Sequence, residues 1–166
     1  MKNREAGSNA GKILVMGIGN LLLGDEGIGV HAVHELEKCN LPDPVDLLDV
    51  GTAFIDALPH LEDGMRLIIL DAVKGGGKPG SVYRIEVNPD KYCQESTSLH
   101  GVSILNMLKF AKVSIAETVT ILGVEPAVID WSMELSGVVE TAKPRLIEAV
   151  LREINDILFA LHVQTA

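Results

Sequence analysis

The chain has 166 residues, 47% of them hydrophobic, which is enough for one well-buried core and too few to divide comfortably into two. Its 14 basic and 23 acidic residues leave a net charge of -9, which repels nucleic acid and the anionic leaflet of a membrane, so neither is an expected ligand. No apolar run reaches the roughly 18 residues that a transmembrane helix needs, and the opening MKNREAGSNAGK lacks the apolar stretch of a signal peptide, so a soluble, cytoplasmic protein is expected.

Residues 1 to 11 are small and polar without periodicity and read as a flexible leader ahead of a single α/β domain over residues 12 to 166. The run KILVMGIG is short, apolar and rich in β-formers, which suits a strand covered on both faces of a parallel sheet. Similar runs recur at VDLLDV, RLIILDAV, SVYRIEV and ETVTILGV. Between them lie helical patterns at Glu26 to Cys39, Ala53 to Leu61, Gly101 to Ala111 and Gly137 to Leu161. The alternation predicts a three-layer α/β/α fold around a mainly parallel five-stranded sheet. Only KGGGKPG separates RLIILDAV from SVYRIEV, too short for a crossover helix, so the fourth strand is expected to run antiparallel to the third and the sheet to be mixed.

The two cysteines, Cys39 and Cys93, have no CxxC partner or Cys/His cluster, which leaves a zinc site or redox pair unsupported. Cys39 reads as a partly buried helix residue and Cys93 as a loop thiol.

In open α/β sheets ligands bind beyond the carboxyl ends of the parallel strands, where the loops converge. Asp25 and Glu26 follow the first strand, Asp49 ends the second, Asp71 the third, and Glu125 follows the fifth; His100 precedes the third helix. Carboxylates and an imidazole are a ligand set that a divalent transition metal accepts. Each residue also has an ordinary reading. Asp25 suits a helix N-cap, and Glu26 in a first helical turn complements the helix dipole. Asp49 can end its strand by bonding to backbone amides of the next turn. His100 sits in the polar stretch QESTSLHG as a loop or cap residue; His31 and His34 fit exposed helix positions, and His60 and His162 carry no signal. Asp71 stands apart, because it follows the apolar LIIL at the end of the expected central strand, where a carboxylate is costly without a partner or ligand.

The glycines exclude two common sites. GIGNLLLG starts like a dinucleotide fingerprint, but Leu22 stands where the third glycine belongs. The spacing from Gly19 to Gly24 imitates a phosphate loop, yet Asp25 and Glu26 replace the expected Lys and Ser or Thr and would repel a phosphate. No GxSxG elbow or HExxH helix is present to supply a serine or zinc hydrolase.

The ordered set GIGNLLLGDEGIG, LLDVGTA, LIILDAV with its glycine-rich turn and PG, SLHG and TILGVEP resembles the hydrogenase maturation endopeptidases from Lys12 to about Arg152. Members of that family remove a short C-terminal extension from the large-subunit precursor of a nickel-iron hydrogenase after the metal has been inserted. The resemblance implies metal-contacting positions at Glu26, Asp71 and His100, with catalytic candidates at Asp49 and Asp71. It also implies that the nickel is carried by the substrate, with zinc or cadmium able to substitute in the site. Relatives often carry two aspartates where this chain has Asp25 and Glu26, and Val50 stands where they have a glycine, which leaves the path of that loop open. A maturation chaperone that grips nickel or the precursor without cutting would use the same ligands. A nucleoside or peptidyl-transfer hydrolase of the same fold is disfavoured by the acidic loop and the net charge of -9.

Overall fold

The computed structural model describes residues 11–88 and 119–164. Five strands form one sheet: β1 (Ile13–Ile18), β2 (Val45–Gly51), β3 (Arg66–Ala72), β4 (Val82–Val87) and β5 (Val119–Val124). Their order is β2-β1-β3-β5-β4, with β4 antiparallel to β5 and the other pairs parallel. All five expected strands form within a residue or two of their predicted limits. β3 is the central strand, as expected for the one ending in Asp71.

The fourth strand is reversed as predicted, but it does not lie beside the third; β5 is inserted between them. Burial explains the order. All six residues of β5 are buried, whereas β4 is mostly half-buried or exposed and suits the edge.

Side-chain alternation divides the sheet into two apolar faces. On one, Ile13, Val15, Ile68, Leu70 and Leu122 pack against helices α1 (Ile28–Leu36) and α2 (Gly137–Gln164). α1 contributes the stripe Ile28, Ala32, Val33 and Leu36, and α2 the stripe Val139, Ala142, Leu146 and Val150, both at the spacing of a single helical face. On the other face, Met16, Ile18, Leu67, Ile69 and Ile121 pack with Ala57 and Leu61, from and just after a 3-10 helix over Phe54–His60. An ordinary helix was expected there; Pro59 lacks the N–H that a longer α-helix would require, and the segment closes as a tighter turn. The helix expected over Gly101 to Ala111 lies outside the described residues, as do the leader up to residue 10 and Cys93.

One local expectation is corrected, and the path left open at Val50 is defined. Cys39 is exposed beyond the end of α1, which stops at Leu36, so it is not a partly buried helix residue. Val50 stays within β2 and is buried, and Gly51 takes the positive φ of +53° that valine resists. No helix among the described residues is long and apolar enough to cross a membrane.

Candidate functional site

The loop after β1 leads into a 3-10 turn over Gly24–Gly27, which continues directly into α1. This places Asp25 and Glu26 above the carboxyl ends of the strands. The fit depends on glycine. A Cβ at Gly19, whose φ is +136°, would overlap the carbonyl of Glu26, and one at Gly29 would overlap the carbonyls of Ile18 and Leu70. The entry of α1 therefore rests on the carbonyls of Ile18, at the end of β1, and Leu70, near the end of β3. Glu26 lies three residues before Gly29, and Asp71 follows Leu70, so each lies near the carboxyl end of an interior parallel strand.

Asp71 is fully buried, and one of its carboxylate oxygens accepts the Ala72 amide at 2.8 Å. Alternation along β3 puts its side chain on the face of Ile69 and Val73, opposite the one covered by α1 and α2. Glu26 is half-buried in its turn. His100, the third member of the expected ligand set, lies outside the described residues, and among those described no three His, Cys, Asp or Glu side chains group as a metal site.

Asp49 is placed differently from Asp71. Its carboxylate lies 2.9 Å from Nε2 of His34 on α1, and alternation from Leu47 puts it on the helix-covered face. His34 is exposed as expected, but His31 is half-buried, and its Nε2 has no hydrogen-bond partner among the described residues. Burial, helped by the charge of Lys143, lowers the His31 pKa and keeps its ring neutral.

Asp25 is not the N-cap that its position suggests, since the turn makes no side-chain cap. It is fully buried and reaches across to the segment after β5. Its carboxylate accepts the amides of Ala127 and Val128 at 2.8 Å each, the Ser136 amide at 2.7 Å and the Ser136 hydroxyl at 2.9 Å. Four donors satisfy a carboxylate that has lost its water, so Asp25 is the anchor of the turn that presents Glu26.

Glu125 is a second buried anchor. It accepts the Tyr83 hydroxyl at 2.6 Å and the amides of Gly75 and Gly77 at 2.8 and 3.2 Å, which closes the glycine-rich turn before β4. Burial alone would raise its pKa, but these donors outweigh it and hold the carboxyl below its usual value. The same bond raises the pKa of the Tyr83 hydroxyl. The signal that singled out Asp71, an acid at the end of an apolar strand, applies equally to Glu125. Nothing local in the sequence marks Asp25 as an anchor, because its partners are 102 to 111 residues away.

The sequence model of the hydrogenase maturation protease family matches residues 30–153. The hydrogenase 2 maturation protease of Escherichia coli is 34% identical over 151 residues, covering 87% of this chain and 92% of its own length. Among solved structures, the hydrogenase maturating endopeptidase HybD from E. coli aligns with a TM-score of 0.76 at 31% identity, over 87% of this chain and 93% of that one. The [NiFe] hydrogenase maturation protease HybD from Thermococcus kodakarensis aligns with a TM-score of 0.71 at 25% identity, over 86% and 99%. Their shared fold extends through the mixed sheet described above.

Proposed function

This chain belongs to the hydrogenase maturation protease family, and on that premise we propose that it removes the C-terminal extension of a nickel-iron hydrogenase large-subunit precursor once nickel is in place. The observation that supports this reading is the position of Glu26 and Asp71 beyond or near the carboxyl ends of β1 and β3, where α1 is seated on the carbonyls of Ile18 and Leu70. In this reading Glu26, Asp71 and His100 complete the coordination of nickel already held by the precursor. Two carboxylates and an imidazole suit such an ion and leave positions for the substrate's own ligands.

The nickel is then part of the substrate, and its presence is what the enzyme tests before cutting. A precursor without nickel offers only peptide surface, and the two carboxylates lose their cation. Hydrolysis adds water across the scissile peptide bond, releasing a new carboxylate and a new amine. Asp71 and Asp49 are the candidate carboxylates for accepting the proton of the attacking water, Asp49 in its pair with His34.

The test compares nickel-loaded and nickel-free precursor, with the products weighed by mass spectrometry, for the native chain and Glu26→Gln. The native chain is expected to cut the loaded form selectively. Glu26→Gln removes one negative charge at nearly constant shape and should erode that selectivity more than it disturbs folding. Equal cutting of both precursors by the native chain would show that nickel is not the recognised feature.

A further inference from the structure

Four large apolar side chains are exposed beside the turn that carries Glu26: Leu22 on the loop after β1, and Val128, Trp131 and Met133 after β5. Trp131 is 80% exposed and Met133 69%. Side chains of this kind are normally withdrawn from water, and an exposed group of them marks an interaction surface. Here the backbone prevents withdrawal. Ser132, between Trp131 and Met133, donates its amide to the Leu22 carbonyl at 3.0 Å and accepts the Gly24 amide at 2.7 Å. The Asp25 amide is bonded to the Val128 carbonyl at 3.1 Å, and the buried Asp25 carboxylate holds both ends of the segment, at Ala127 and Val128 and at Ser136. The apolar groups are thus preorganised, and a partner that covers them loses little conformational entropy in this loop.

The charge beside them narrows the choice of partner. Asp130 and Glu134 are exposed and bracket Trp131 and Met133 along the chain. Carboxylates around an apolar surface favour an apolar segment accompanied by basic residues. They oppose a second copy of this chain, whose net charge is -9 and whose matching loop is equally acidic.

We propose that Leu22, Val128, Trp131 and Met133 form a docking surface for an apolar, basic-flanked stretch of the precursor beside the bond that is cut. The proposal rests on the reading of this chain as the precursor's endopeptidase. Asp25 links the two functions physically: one residue anchors the docking loop and immediately precedes Glu26.

Trp131 is the only tryptophan, so the full chain labelled with 5-fluorotryptophan reports this surface through a single 19F resonance. Titration with nickel-loaded large-subunit precursor is expected to shift that resonance. Met133→Asp should abolish the shift and lower kcat/KM for cleavage by about tenfold or more, mainly through KM, as loss of a buried interface anchor does. Asp130→Asn combined with Glu134→Gln should weaken binding and flatten its salt dependence. The proposal is overturned if the native chain cuts the precursor while the resonance stays fixed at saturation, or if Met133→Asp keeps the native KM. It is also overturned if the resonance moves with the concentration of the chain alone and sedimentation finds a dimer. A precursor-dependent shift that Met133→Asp removes, in a chain that cuts nothing, upholds the docking surface and overturns the endopeptidase reading instead.

Discussion

Asp25 accepts both the amide and the hydroxyl of Ser136, at 2.7 and 2.9 Å, across 111 residues of sequence. The bond joins the turn before α1 to the residue before α2, so both helices on one face of the sheet are tied to one buried carboxylate.

Asp25→Asn is therefore expected to destabilise the fold by about 2–4 kcal/mol, because an amide keeps one acceptor but turns its NH2 toward backbone donors. Urea unfolding followed by circular dichroism measures the loss. A variant within about 0.5 kcal/mol of native would mean that the four bonds to this carboxylate contribute little.

Gly29→Ala tests the seating of α1. The new methyl group would overlap the Leu70 and Ile18 carbonyls, neither of which can move without disturbing the sheet. A loss of about 2 kcal/mol or more is expected, together with reduced processing as the turn bearing Glu26 is lifted. Thermal melting and a cleavage assay read the two effects. Native behaviour in both would refute the close packing of helix and strand ends.

Asp71→Asn and His100→Ala are expected to abolish processing while leaving unfolding midpoints near native. Asp71→Asn keeps an oxygen for the Ala72 amide while removing the charge. Unprocessed precursor should accumulate with either variant. A crystal of the native chain soaked in zinc, cadmium or nickel should show the ion against Glu26, Asp71 and His100. An empty site in the soak, or native processing by either variant, would remove these residues from the ligand set.

The pair of Tyr83 and Glu125 should set a pH window of stability. The Glu125 carboxyl is lowered when folded, so its contribution is present above the ordinary carboxylate value of about 4.5 and is lost as pH falls through the folded value. The Tyr83 hydroxyl is raised above about 10, so its contribution is complete below that pH and is lost as pH rises through the folded value. Urea midpoints of native, Glu125→Gln and Tyr83→Phe chains across pH should differ most between these limits and converge outside them. A difference that does not vary with pH would show that the pair's bonding is not linked to ionisation.

Much of the architecture was legible in the chain itself. The five strands, the reversal of β4 and the central place of Asp71 follow from short apolar runs, helical stripes and the length of KGGGKPG, all of them local features. The carboxyl ends of the strands then limited the candidate acids to a handful before any side chain was placed.

What the sequence could not determine was which of those acids serve the scaffold. Asp25, Asp71 and Glu125 are all buried, yet Asp25 is satisfied by donors 102 to 111 residues away and Glu125 by donors 42 to 50 residues away. Asp49 faces His34 on the helix-covered side of the sheet, opposite Asp71, although both end parallel strands. The burial cost of a carboxylate can be anticipated from its apolar neighbours in sequence, but the donors that offset it arrive from distant segments. Tertiary structure alone brings those donors within hydrogen-bonding distance and so separates an anchor such as Asp25 from the adjacent candidate ligand, Glu26.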